Sequence, residues 1–266
     1  MKSATVNIKQ IPAMEFRFDP SLHLSEGVKV RETLAELPYE VKPLSSVTER
    51  IFLGNIFSRI WVKDKQHGVP YLAASDTVLA NLDTGQFLAK RQAVEMPYLV
   101  LEKGWILVTC SGTLGNTSYT NGNYAGKIAT HDLIRIIPNE DELPGGYVYA
   151  FLSSKYGYYQ ITQSQFGGVV KHINATQAGQ IQIPFLSDDL VSEADKKIQE
   201  SSRLREVASE ALKAVHTRFA EEISIKIKPI SHSINIKEIT SLKGKRFEGA
   251  IYTEKAKAFL DTIAEA

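Results

Sequence analysis

The sequence predicts an α+β protein: a mixed, β-rich domain followed by one long amphipathic helix suited to pairing in a coiled-coil-like antiparallel bundle. Three observations carry this expectation. Short β-branched runs bounded by Gly, Asn and Pro fill residues 16–184. An unbroken helical periodicity follows, from about Asp188 to Ile223. The start of the chain then recurs near its end.

In the first block, WILVTC (Trp105 to Cys110) and LIRIIP (Leu133 to Pro138) read as buried strands. GGYVYAFLSSKYGYYQI (Gly145 to Ile161) departs from that pattern. Val148, Phe151, Leu152 and Tyr156 fall at helical spacing and Gly157 lies near the expected end, so a helix packed on the sheet is predicted. Pro184 closes the last strand, and Ser187, Asp188 and Asp189 supply an N-cap and first-turn acids for the long helix. Its apolar residues Val191, Ala194, Ile198, Leu204, Ala208, Ala211, Val215, Phe219 and Ile223 step mainly by three and four. At about 1.5 Å per residue the helix is roughly 50 Å long, more than one compact domain needs. A partner-helix interface is therefore expected on Val191, Ile198, Leu204, Ala208, Ala211, Val215 and Phe219; the alternative is a lone helix lying along its own domain.

Residues 17–37 align without gaps on residues 246–266. Arg17 and Phe18 match Arg246 and Phe247, Asp19 matches Glu248, Leu22 matches Ile251, and Glu32-Thr33-Leu34-Ala35-Glu36 matches Asp261-Thr262-Ile263-Ala264-Glu265. One unit followed by the opening of a second is the reading, with shared composition of two amphipathic helical starts as the alternative. The expected boundaries are 1–186 for the mixed domain, 187–224 for the helix, and 225–266 for a linker and the start of the second unit.

Composition limits the function classes. With 266 residues and 43% hydrophobic content the chain can build a proper core. It contains no apolar run of about 18 residues, and MKSATVNIKQ at the start lacks an apolar h-region, so a cytoplasmic location without membrane insertion is expected. The single cysteine, Cys110, excludes an internal disulfide framework and any thiolate-rich zinc site. A net charge of +1 leaves room for a basic face without making the whole chain basic.

Several segments imitate enzyme motifs. Cys110 and His131 have no evident third group to orient them, and Cys110 ends an apolar strand, which reads as a packed thiol. GNYAGKIA (Gly122 to Ala129) has the wrong glycine spacing for a phosphate loop, with Ile128 where a magnesium-holding hydroxyl belongs. PYEVK (Pro38 to Lys42) with Asp19 is a short chance imitation of nuclease acids, and the six histidines show no ligand spacing. No catalytic residue, metal site or cofactor of the chain's own is expected.

Other segments suit contact with a surface. In SGTLGN, Gly112 and Gly115 permit positive φ or close approach, and Ser111, Thr113 and Asn116 offer short polar groups to phosphates or base edges; an ordinary hairpin facing water is the alternative. In GGVVKHIN, Lys171 and His172 suit phosphate or guanine and Asn174 suits adenine; equally, His172 and Asn174 suit capping or cross-linking the loop. Arg59, Lys63, Lys65 and Gln66, with Lys90, Arg91 and Gln92, supply a basic face or a merely solvated one.

In order, GVPYLAASD (Gly68 to Asp76), GWILVTCSGTLGN (Gly104 to Asn116), YVYAFLSSKYGYYQI, GGVVKHIN and IQIPF (Ile181 to Phe185) resemble the specificity subunits of type I restriction-modification systems. Together with the following helix they cover most of residues 17–223. The resemblance implies a target recognition domain that reads half of a bipartite site in double-stranded DNA, with the helix as spacer. It implies methyltransferase subunits as partners, which bind S-adenosylmethionine and flip the target adenine, and translocase-nuclease subunits for restriction. With one recognition domain present, self-pairing through the helix is a further implied arrangement. A protein-interaction module and the recognition part of a single-chain methyltransferase or restriction enzyme are the readings from other classes.

Overall fold

The computed structural model describes Ile8, Phe18, residues 20–163 and residues 172–223. Along the chain run α1 (Pro20–His23), α2 (Glu26–Ala35), β1 (Val41–Pro43), β2 (Thr48–Phe52), β3 (Trp61–Val62), β4 (Gly68–Leu72), β5 (Phe87–Ala89), α3 (Lys90–Glu95), β6 (Ile106–Thr109), β7 (Thr117–Tyr119), β8 (Ile128–Ala129) and β9 (Leu133–Pro138). There follow α4 (Gly145–Ser153), α5 (Lys155–Gln163), α6 (Ala175–Gly179), β10 (Gln182–Pro184) and α7 (Asp188–Ile223). This is a mixed α+β fold whose strands precede a long helix. The second copy of the sequence repeat, residues 246–266, lies outside the described residues.

A four-stranded sheet in the order β2-β9-β6-β7 forms the middle of the domain. Its neighbours are antiparallel throughout. The apolar runs of β6 and β9 follow from burial on both faces, because successive side chains alternate across a sheet. Ile106, Val108, Ile134 and Ile136 join a core with Val148, Leu152 and Ile183, whereas Leu107 and Leu133 join Phe52, Leu72 and Trp105 on the opposite side. The second sheet, β3-β5-β4-β8, is antiparallel except for the parallel β4–β8 pair. β1 and β10 close a small antiparallel ladder.

Where the sequence predicted one helix over residues 145–161, two are present. Ser154 breaks the run: its hydroxyl accepts from the Tyr156 and Gly157 N–H groups at 3.2 and 3.4 Å and so opens α5. Gly157 lies inside α5 rather than at its end. A Cβ there would overlap the Leu152 backbone, so glycine is the residue that lets α5 turn back against α4.

The chain divides into two compact units, Met1–Ser209 and Glu210–Ala266. In the first unit α7 begins where the Ser187 carbonyl accepts from Val191 N–H, with Asp188 and Asp189 against the positive end of the helix dipole. One face of α7 then docks on its own domain. Val191 enters the core beside Val148 and Ile183. Asp195 Oδ1 accepts from Gly146 N–H at 3.0 Å, Gln199 Nε2 donates to the Tyr119 hydroxyl at 3.0 Å, and Glu206 Oε1 accepts from Gly122 N–H at 2.6 Å. Asn121 Nδ2 reaches the Ser202 carbonyl at 3.2 Å.

Val191 and Ile198 therefore do not share the face of Leu204 and Ala208, the other residues of the first unit predicted for a partner helix. Val191 is only 8% exposed, and Ile198 is half-buried beside Tyr119 and Tyr124. Leu204 and Ala208 are exposed, as are Leu190 and Val207. At about 100° per residue, the docked row and the exposed one are centred roughly 160° apart, on nearly opposite sides of the helix. In the second unit, Ala211, Leu212, Val215 and Phe219 are exposed.

Candidate nucleic-acid interface

The register of the central sheet brings several loops to one edge. β2 ends at Phe52 opposite Arg135, and β6 ends at Thr109 opposite Leu133. The segments after β2 and after β6, and the turn before β9, thus leave from the same side. Ser111 and His172 form an antiparallel bridge, and Ile173 N–H donates to the Cys110 carbonyl at 3.1 Å. Cys110 N–H in turn donates to the Asp132 carbonyl at 3.5 Å. Ser111 and His172, 61 positions apart in sequence, are thereby joined at one site.

The hairpin loop between β6 and β7 is held from below by Thr109. Its hydroxyl donates to the Thr113 carbonyl at 2.6 Å and accepts from Asn116 N–H at 3.0 Å. Both glycines of SGTLGN have positive φ, +70° at Gly112 and +83° at Gly115. A Cβ on Gly115 would also stand 3.0 Å from the Tyr158 ring. Gly112, Thr113 and Asn116 are exposed at the tip, and Ser111 is half-buried at the bridge.

Asn174 takes the capping alternative. It is the N-cap of α6: its Oδ1 accepts from Gln177 N–H at 2.8 Å, while Gln177 Oε1 accepts from Asn174 N–H at 3.1 Å. Its side chain thus sets the start of a helix next to the bridge. His172 is half-buried, and Lys171 lies outside the described residues.

Arg59 enters the same edge from the segment after β2. Nε donates to the Tyr71 hydroxyl at 2.6 Å, and Nη2 donates to Thr130 Oγ1 at 3.1 Å. His131 Nδ1 stands 3.4 Å from Nη2, and its Nε2 is 3.4 Å from Asp132 Oδ1. The turn that carries these groups is fixed by Arg135, a fully buried side chain of β9. Its guanidinium donates to the carbonyls of Ala129, Thr130 and Leu133 at 2.9, 3.0 and 3.1 Å and stacks on Phe52. Burial lowers the Arg135 pKa to about 10, which leaves it charged at neutral pH.

Lys63, Lys65, Gln66, Lys90 and Arg91 gather elsewhere, around the β3-β5-β4 sheet. All five are exposed. Lys90 N–H donates to the His67 carbonyl at 3.0 Å, which brings the start of α3 against the β3–β4 turn. Lys65 lies 3.8 Å from Asp83; both are exposed, so this pair is weak. Gln92 ties this group to the Arg59 segment, accepting from Ile60 N–H at 2.9 Å and donating to the Ser58 carbonyl. Ser111, His172 and Arg59 thus belong to one edge, and the lysines with Arg91 form a second cationic group.

The enzyme-like segments have structural roles. Cys110 is buried in the core, and burial followed by the nearby Asp132 carboxylate pushes its thiol up to about 12. A thiol held that high stays protonated and is a poor nucleophile. In GNYAGKIA, Gly122 docks on α7, Tyr124 donates to the Thr77 carbonyl at 2.6 Å, and Ile128 is fully buried in β8. Among the described residues no group of three His, Cys, Asp or Glu is placed to hold a metal ion. No described helix is long and apolar enough to cross a membrane.

Thr109, Tyr71 and Arg135 support the site without having been singled out from the sequence. Arg135 alone carried a signal, as the one charge in the otherwise apolar LIRIIP. Tyr71 meets Arg59 only through the fold, and Thr109 lay inside the apolar WILVTC run, so neither left one.

No family model matches the chain, and no curated protein matches it. Solved structures do. A crystal structure of the type I restriction-modification S subunit from M. genitalium is similar at 15% identity and a TM-score of 0.45, over 71% of this chain and 46% of that one. The HsdS subunit from Thermoanaerobacter tengcongensis is similar at 14% identity and a TM-score of 0.42, over 76% and 47%. A third, from a study of complex assembly and conformational transition of the type I R-M system, is similar at 12% identity and a TM-score of 0.47, over 74% and 50%. All three come from type I systems. This chain spans about half the length of each.

Proposed function

We propose that the chain is the sequence-specific DNA-recognition subunit of a type I restriction-modification complex and is itself non-catalytic. In this reading residues 1–186 form a target recognition domain for one half-site, residues 187–224 form the spacer helix, and residues 225–266 open a second unit. The observation that carries it is the junction at the sheet edge, where the Ser111–His172 bridge and the glycine-shaped hairpin tip are tied through Cys110 and Asp132 to the turn that holds Arg59. Exposed polar groups on a rigid turn suit base and phosphate oxygens, and a separate cationic group suits the DNA backbone. The order of the sequence segments supports the same reading.

The exposed row of α7 supports helix pairing, with a second recognition domain, a completing chain or a second copy of this chain as the source of the other helix. A rod of roughly 50 Å is comparable with the roughly 34–36 Å between sites one DNA turn apart, so helix length would set the gap in a two-part target. Methyltransferase subunits would bring S-adenosylmethionine and modify the adenine, and restriction subunits would join the same complex.

Binding of the chain to duplex DNA, alone and with its methyltransferase subunits, tests this reading across a salt series. The expected result is tight binding that falls linearly in log K against log salt, because each phosphate neutralised releases counterions. Absence of duplex binding in both forms contradicts it.

A further inference from the structure

Arg59 is held unlike a solvated surface cation. Its guanidinium lies 5.4 Å from the Tyr71 ring centroid and 5.5 Å from that of Phe57. Tyr71 is 2% exposed and is itself fixed edge-on against Trp61. Nε and one N–H of Nη2 are committed to neutral oxygens, those of Tyr71 and Thr130. Among the described residues Nη1 has no partner, and no carboxylate forms an ion pair with Arg59. The fork is therefore oriented by the protein while both N–H groups of Nη1 stay available; the second Nη2 N–H makes a long hydrogen bond of 3.4 Å to His131 Nδ1, which an incoming acceptor would share.

A fixed planar fork of this kind matches two acceptors side by side. Phosphate and the O6/N7 edge of guanine both present such a pair. Two features favour the base. The half-exposed Asp132 carboxylate stands just across His131, where it repels a phosphate but accepts from an amino group of a base pair. Exposed Lys63, Lys90 and Arg91 also already supply cations for the backbone.

On the DNA-recognition reading, we infer that Arg59 is a specificity-determining residue that reads a guanine through its O6/N7 edge, so that the half-site of this chain contains a guanine. Arg135 acts behind it as a positioning residue, because its three carbonyl contacts fix the turn that bears Thr130 and His131.

The test uses the full chain with its methyltransferase subunits and the target found from the methylated sequence. Each guanine of the half-site is replaced in turn by 7-deazaguanine, which lacks the N7 acceptor. At one position wild-type binding is expected to weaken several-fold, part of the roughly 5- to 150-fold discrimination of a full bidentate contact, since O6 remains. R59K and R59A bind the natural target more weakly and lose sensitivity at that same position. A half-site without guanine, or wild-type binding indifferent to every replacement, overturns the inference, and the second outcome needs no variant to fold. R59A that weakens all duplexes equally and flattens the salt dependence makes Arg59 a phosphate contact and also overturns it. If wild type binds no duplex at all, the DNA-recognition reading itself fails.

Discussion

Ser111 and His172 pair through their backbones, so that the hairpin after β6 and the segment leading into α6 form one continuous rim. Each of the two is then pinned by a short polar side chain, Thr109 under the hairpin and Asn174 at the start of α6. The rim is thus a rigid platform rather than a pair of independent loops.

Asn174 separates a structural role from a base contact. Because it caps α6, Asn174→Ala is expected to cost about 1 kcal/mol, while Asn174→Ser stays within a few tenths of wild type. Urea denaturation of the three proteins measures the difference; equal stabilities would remove the cap from the account.

Gly112 and Gly115 share positive φ but differ in surroundings. A Cβ at Gly112 meets nothing within 4 Å, whereas one at Gly115 meets the Tyr158 ring. Gly112→Ala should therefore cost about 1 kcal/mol from backbone strain alone, and Gly115→Ala about 2 kcal/mol or more. Thermal or urea unfolding should rank them in that order.

The two rows of α7 predict opposite behaviour from similar truncations. Val191→Ala removes core packing and is expected to destabilise the domain by roughly 2 kcal/mol. Leu204→Ala, at a position 52% exposed, should change stability by no more than about 0.5 kcal/mol while weakening helix pairing, read by analytical ultracentrifugation with the methyltransferase subunits.

Cys110 gives the stability a sign at alkaline pH. Its thiol is held near 12 in the folded chain against 9.0 for an ordinary thiol, so the folded form keeps a proton that the unfolded chain releases. The contribution is complete below pH about 9 and is lost as pH rises toward 12. Cys110→Val should make that decline shallower without abolishing it, since burial raises the Tyr147 hydroxyl as well. Native Cys110 should also resist alkylation at pH 8 and react once urea is added.

The sequence made β6, β9 and α7 legible because each carries its own signal, an apolar run buried on both faces or a long helical period. It concealed the break at Ser154, since α5 folds back only through the contact of Gly157 with Leu152. It also assigned Val191 and Ile198 to the wrong row of α7. The helix docks largely through Asp195, Gln199 and Glu206, polar side chains that hydrophobic periodicity counts as solvent-facing. At the candidate site the SGTLGN turn was readable from its glycines. The setting of Arg59 was not, because Thr130 and His131 lie 71 and 72 residues away.

The central claim is tested most directly by single-molecule sequencing of adenine methylation in cells that express the methyltransferase subunits, with and without this chain. The account predicts that one bipartite methylated motif disappears when the chain is deleted and returns when it is restored. An unchanged methylome, with the methyltransferase present and active, would contradict it.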